Sequence, residues 1–560
     1  MASAVGPYIA TVMSYIATLF GSEELADCVV VFSLAQNDGT HAAAGASQAS
    51  QSAPGNGQPD VPSSPLGDPL PAHRMALFAG SARLRAQAER WTPEQQQAGS
   101  KPELRVPLGR PEDLPHALSA LRFMYTGKVD GSSAAQLLQV RRQAAYLLVE
   151  GCVEACDAAL LAHVSAGVPQ QPAEGVGGSS SSPLAPVAEL FACRHLLPEP
   201  AELGGDALIP ALLRACRQQL VLHGGGLAEV VGAAGQSASG GSGSQGELLA
   251  WAFRDAPSLL CDPDMRWQMV TLPAAAMEAL LGSDSFATDD EATVLLVLAH
   301  WRRFNQAAFA PVCDKLCGVV RLSQLSGDYL LSTLPFIPWF PLSREEHAFL
   351  CQHVSAAGQP NKQARLEEAA AGRYDTTSPW YAAGARPCGR SDLHRPYGWH
   401  IKQEDLAEGA EQATLAVLCG SFDNGTAYLV SHGFEWRPFM CMRAEDEAAG
   451  VYLQCSTPAA LCLPISDKPI TLVSTSARLV VHRWAGEGGG GNRQEGFSKR
   501  YSHDNEDYVE VGAGWGEPSA LPLAEAQAAG AQCGDGAADP LRRWGAYLHE
   551  SKLTGSLEFS

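Results

Sequence analysis

The 560-residue chain has no C-x-x-C pair, no G-x-S-x-G elbow, no G-x-x-x-x-G-K-[ST] loop, no cluster of lysines and arginines, and no repeat of fixed period. Each absence excludes a class of protein. Without a nucleophile elbow, His223-Gly224-Gly225-Gly226 has nothing to serve as an oxyanion loop and only opens a glycine-rich tract. Without the phosphate-binding frame, neither Gly127-Lys128 nor the glycines within 487–491 hold a nucleotide. A formal net charge of -21 repels a phosphate backbone, so no nucleic-acid partner is expected. The missing period excludes propellers and solenoids.

Long apolar runs are scarce too. The segment MASAVGPYIATVMSYIATLFG is apolar, but Pro7, Tyr8, Ser14 and Tyr15 interrupt it and it carries no basic flank. It reads as a packed or partner-seeking helix, and no membrane partner is expected. The 15 cysteines form an odd set, several of them on helical patterns. Cys152 with Cys156, and Cys313 with Cys317, stand four apart on one helix face, yet neither pair has the His or Cys partners of a metal site. Reduced thiols in the cytoplasm or nucleus are expected, with no metal and no cofactor.

What is present is periodic sequence broken by tracts of Gly, Ala, Ser and Pro at 36–70, 166–186, 232–246, 356–386, 485–494 and 516–540. Cys28 to Phe32 is a β-branched run suited to a strand buried on both faces. Leu104, Val106 and Leu108 alternate as in a strand, and HALSALRFMYTGKV suits a buried helix ending at Gly127. Two helices separated by Gly151 follow. From 187 to 355 the pattern is helical, with Thr288-Asp289-Asp290-Glu291 reading as a capping box before Val294, Leu295, Leu298 and Trp301. Beyond 390 it turns β: ATLAVLC, TAYLVSHGF, VYLQC, ITLVSTSARLVVHRW, YVEV and LTGSLEF, with Asp423-Asn424-Gly425 as a hairpin signal. Trp399, Trp436, Trp484, Trp515 and Trp544 suit either a core or an aromatic peptide groove.

The succession LADCVVVF, LPAHRMALFAGSARLRA, ELRVPL, LRFMYTGKV and LLQVRRQAAYLLVEGCVEAC resembles the BTB (POZ) domain. Asp27, Ala72-His73-Arg74, Ser81 and Tyr125-Thr126-Gly127 stand in the order of that domain's best-known positions. The stretch from MRWQMVTLP to VVRLSQLSGDYLL looks like a BACK domain, and the whole is similar to plant-type light-response BTB proteins with a MATH/TRAF-like C-terminal domain. The resemblance implies a multidomain α+β chain. It comprises a BTB/POZ α/β domain at 9–165 with a disordered insertion at 36–70 and an all-α BACK domain at 187–355 with a flexible insertion at 232–246. A linker at 356–389 leads to an antiparallel β-sandwich at 390–560 with loops at 485–494 and 516–540.

It further implies a non-enzymatic substrate adaptor of a cullin-3 RING ubiquitin ligase, dimerising through BTB and holding a target protein through the sandwich. The carried-over cullin contacts are Glu89, Leu121, Met124 and Tyr125, the last three equally suited to a core. Gln87 stands where the family places a hydrophobe before that acid, which keeps open a scaffold or corepressor-type protein that binds no cullin. For the homodimer the candidates are Tyr8, Val12, Ile16 and Leu19, on one helical face, with Asp27 as the buried interfacial acid. The alternative for that helix is packing on its own domain.

Overall fold

The structure, a computed structural model, describes residues 5–34, 65–90, 101–166, 182–198, 207–224, 244–412, 414–443, 445–463, 471–485, 492–502, 508–523 and 540–560. The chain divides into two compact units, Met1–Gln219 and Leu220–Ser560.

In the first unit, β1 (Cys28–Leu34) lies between β2 (Leu70–Ala72), antiparallel, and β3 (Glu103–Leu108), parallel, with Val30 opposite Leu104 and Phe32 opposite Val106. Cys28, Val30 and Phe32 are buried while Val29 and Val31 are only partly covered, so the strand has one closed face and not the two expected. Helix Leu114–Thr126 ends as its sequence predicts: Gly127 takes φ 63° and donates its N–H to Phe123 O at 2.7 Å. Helices Ala134–Leu147 and Cys152–Ser165 flank Gly151, itself at φ 73°.

Helix Ala185–Ala192 corrects the expected start of the second domain at 187. Glu189 accepts the first N–H of helix Ala134–Leu147 (2.8 Å) and pairs with His163 (3.0 Å), while Val187 and Leu190 are fully buried. Helix Ala185–Ala192 thus packs on the first unit's core, and the Gly/Ser run before it marks no domain boundary, because such a run breaks periodicity wherever it falls.

The second unit holds both the helices and the sheets that the sequence divides into two domains. Its helices run through Gln245–Phe253, Ala256–Cys261, Pro263–Val270, Ala274–Gly282, Glu291–Phe304 and Gly327–Ser332, around a fully buried Trp301 whose Nε1–H donates to Leu272 O at 2.8 Å. The strands are β4 (Tyr397–Lys402), β5 (Ala416–Cys419), β6 (Ser421–Phe422), β7 (Leu429–Ser431), β8 (Phe434–Met442), β9 (Ala448–Ser456) and β10 (Leu472–Ser474). They continue with β11 (Ala477–Ala485), β12 (Asn492–Tyr501), β13 (Tyr508–Glu510), β14 (Gly514–Pro522), β15 (Leu548–His549) and β16 (Lys552–Phe559). One antiparallel sheet has the order β12-β11-β16-β4-β6 with β15 on β16; another has β14-β9-β8-β5 with β7 on β8; β10 and β13 form a separate ribbon. Alternate residues of β8, Phe434, Trp436, Met440 and Met442, are buried, as are Leu553, Leu557 and Phe559 of β16.

Several sequence expectations for this unit are corrected. The segment 356–389 is no plain linker: it carries helix Pro360–Ala370, and Arg386 is buried against Glu291 (Nε to Oε2 2.8 Å, Nη2 to Oε1 3.2 Å) while also donating to Ser283 O and Leu281 O. Glu291 therefore does not complete a capping box. Asp290 caps helix Glu291–Phe304 by accepting the Ala292 N–H at 2.7 Å, and the reciprocal box occurs at Ser244 and Glu247. The loops expected at 485–494 and 516–540 overlap β12 and β14.

The Asp423-Asn424-Gly425 turn joins no hairpin, since β6 pairs with β4 and β7 with β8. The two-residue hairpin lies at His432-Gly433, where φ is 52° and 77° between the paired Ser431 and Phe434, the positive values a type I′ turn requires. That tip seats on the start of helix Glu291–Phe304: His432 N–H donates to Asp289 Oδ2 (2.8 Å) and Gly433 N–H to Thr293 Oγ1 (2.9 Å). Asp289 also receives Arg390 Nη1 at 3.3 Å, and Arg390 grips Asp392 with two further bonds of 3.0 and 3.1 Å. Helices and sheets are joined through buried charge and a turn, which merges the separate BACK and β-domains expected into one unit.

Candidate functional site

The candidate partner surface lies in the first unit and is built on two short helices. Ser81 separates Arg74–Gly80 from Ala82–Ala88 and caps the second, accepting the Leu84 N–H at 3.1 Å while its hydroxyl donates to Leu147 O at 2.6 Å. Leu84 and Ala88 turn inward; Gln87 is partly buried; Glu89 is exposed at the helix end. Three exposed arginines, Arg83, Arg85 and Arg90, share this helix region with Glu89, Arg83 and Arg85 on opposite sides of the helix. Arg83 lies 4.0 Å from the Tyr146 ring centre and donates to its hydroxyl (2.9 Å).

Two of the carried-over cullin contacts are corrected. Leu121 and Tyr125 are buried, on the face of helix Leu114–Thr126 that meets the core. The Tyr125 hydroxyl accepts the His73 N–H at 3.0 Å, its ring meets Phe20 edge-on at 5.4 Å, and burial pushes its pKa up to about 12. A phenol so enclosed offers nothing to a partner. Met124 is partly exposed, beside Gly80, where an added Cβ would come within 2.6 Å of Met124 Cγ.

The dimer candidates separate along helix Val5–Thr18 and the turn after it. Leu19 is a core residue and Ile16 packs against that core, so Leu19 is corrected from interface to interior. Val12 is exposed, as are Met13 and Tyr15, which the expected stripe omitted. The Tyr8 side chain lies outside the described residues. Asp27 is not buried in the single chain: its side chain is 42% exposed and its two oxygens take the Arg74 N–H (2.8 Å) and Nε–H (3.0 Å). Partial desolvation opposes its charge, but the bonds from Arg74 outweigh it and hold the carboxyl below its usual range. Asp27 thereby satisfies the first N–H of helix Arg74–Gly80, which has no side-chain cap of its own.

In the second unit Trp399, Trp436 and Trp544 are core residues, Trp484 is partly buried, and Trp515 is the exposed member of the five. The fourteen described cysteines are free thiols, and no group of three or more His, Cys, Asp or Glu that could hold a metal occurs among the described residues.

Residues 265–335 match the family model BACK, BTB And C-terminal Kelch. The match supports a BTB/BACK-type protein and spans the helices around Trp301, from Met265 to just beyond helix Gly327–Ser332. No curated protein matches the chain. The BACK segment thus contains Asp289 and Thr293, which receive the hairpin tip, and Glu291, which receives the buried Arg386.

Proposed function

We propose that the chain is a non-enzymatic adaptor that brings a target protein to a cullin-3 RING ubiquitin ligase. The observation that carries this reading is the BACK match at 265–335, because BACK is typical of BTB proteins that act as cullin-3 adaptors. An α/β unit precedes it, with the exposed Glu89 and the partly exposed Met124 as the cullin contacts that remain. Val12, Met13 and Tyr15 supply apolar surface for a second copy of the chain. The antiparallel sheets serve as the target-holding part, in the manner of a MATH/TRAF-like domain of light-response BTB proteins. An adaptor of this kind needs no catalytic residue: it raises the effective concentration of a target beside a separate enzyme, and pairing two copies adds avidity.

The test is retention of purified cullin-3 by the immobilised full chain. Retention is expected, with Glu89→Ala weakening it by about tenfold if the acid sits centrally in the contact. No retention at excess cullin-3 defeats the reading. One observation favours a second reading, a scaffold that pairs with itself and binds no cullin: Gln87 offers an amide where the family presents an apolar side chain. That reading predicts a dimer in sedimentation with no cullin retained.

A further inference from the structure

Within the second unit a cavity of about 440 Å³ opens beside the start of helix Glu291–Phe304. Asp290, Asp328, His432, Ser326, Thr475 and Tyr508 contribute to its wall, a size and mixture suited to one small polar group.

The fixed charges of this wall have one sign. Two carboxylates line it, and the buried arginines nearby are already committed, Arg390 to Asp289 and Asp392, Arg386 to Glu291. His432 is the lining residue able to carry positive charge, and its Nδ1 already meets Ser431 Oγ at 2.9 Å. Of the three consecutive acids at the helix start, Asp289 and Glu291 pair with arginines, whereas Asp290 has no arginine or lysine partner among the described residues and feels only His432: Oδ1 accepts the Ala292 N–H, and Oδ2 takes no hydrogen bond among the described residues. The helix dipole opposes a cation at this end, but the unpaired carboxylate is a full charge at closer range.

Hydroxyls on the same side lack partners. Thr475 lines the cavity and is 2% exposed, yet its Oγ1 has no hydrogen-bond partner among the described residues. Tyr329, buried against Gly433 of the hairpin tip, has an unpartnered hydroxyl as well. A buried hydroxyl without a partner is costly, and here the chain itself supplies none. Carboxylates and hydroxyl oxygens together accept hydrogen bonds, so a group rich in donors satisfies them, whereas an anion meets two like charges.

We propose that this cavity receives an ammonium or guanidinium group, carried by a lysine or arginine side chain of another polypeptide, with Asp290 and Asp328 as its charge partners and Thr475 as a further acceptor. The site lies wholly in the second unit and does not depend on whether the first unit binds cullin-3.

The test is titration calorimetry of the full chain with Nα-acetyl-lysine-N-methylamide, Nα-acetyl-arginine-N-methylamide, the uncharged Nα-acetyl-norleucine-N-methylamide, and spermidine. A cationic amide is expected to bind and the norleucine compound not to. Asp290→Asn keeps a good helix cap and is expected to weaken binding by about tenfold or more, which the exposed Asp328→Asn checks without touching the helix. Equal binding of norleucine, or affinities unchanged in both variants, overturns the proposal. Spermidine binding without either amide overturns the polypeptide source.

Discussion

Asp27–Arg74 and Glu291–Arg386 are the same chemical pair in opposite settings. In the first unit both side chains are 42% exposed, whereas in the second the exposures are 0% for Arg386 and 2% for Glu291. Apolar groups do not divide so cleanly: Val12, Met13 and Tyr15 lie open on the first unit's leading helix, and the second unit closes over Trp301, Trp399, Trp436 and Trp544 while leaving Trp267 and Phe304 exposed. The first unit leaves Asp27, Arg74, Val12, Met13 and Tyr15 open to solvent. The second uses charge internally, to join helices to sheets, and a buried pair of that sort acts chiefly as a positional lock, because desolvation cancels most of its attraction while loss of one member leaves a bare charge.

The largest expected effect follows from that lock. Arg386→Met leaves the Glu291 carboxylate buried with the Arg321 N–H (3.0 Å) as its remaining donor among the described residues, and should cost about 3–5 kcal/mol in denaturant unfolding of the second unit followed by tryptophan fluorescence. Adding Glu291→Leu should recover most of the loss, since two apolar side chains need no partners. A single variant as stable as the parent would mean that the charge pair does not join 356–389 to the helices.

How much of this was legible beforehand depended on range along the chain. Leu104, Val106 and Leu108 alternate and Gly127 stops a helix, and local pattern suffices for both. The six β-runs all contain strands, whereas β12 was missed because its exposed polar residues at a sheet edge carry no apolar alternation. Arg386 was invisible as a buried residue because its partner stands 95 positions earlier, and a Gly/Ala/Pro setting reads as linker. At the candidate surface Glu89 lies exposed, but Leu121 and Tyr125 share a helix with the partly exposed Met124, and only the packed core decides which face turns inward.

Acid should separate the units next. Burial, reinforced by Arg266 and Arg303, lowers the His300 pKa to about 4, so the imidazole is neutral in the folded state. The unfolded chain takes up that proton near pH 6.5. Between pH 6.5 and 4 it therefore holds more protons than the native state, and stability falls as pH falls. This contribution is on the order of 2–3 kcal/mol across the window. Asp290, raised to about 6 by burial, acts in the opposite sense as pH rises toward 6, so the readout is the difference between the parent and His300→Gln. The variant's stability should decline less on acidification, and parallel curves would show that His300 is protonated in the native unit.

The smallest effect belongs to the exposed pair. Asp27→Asn keeps an oxygen for the Arg74 N–H and removes only the charge, so the first unit should lose no more than about 1 kcal/mol, less at high salt. Self-association gives the sharper reading of the same variant. If the chain pairs through the surface bearing Val12, Met13 and Tyr15 and buries Asp27 in doing so, the substitution should shift the sedimentation equilibrium far more than it shifts unfolding of the isolated chain. Equal, small changes in both would leave Asp27 with the role seen in the single chain, a cap for helix Arg74–Gly80 supplied from across the unit.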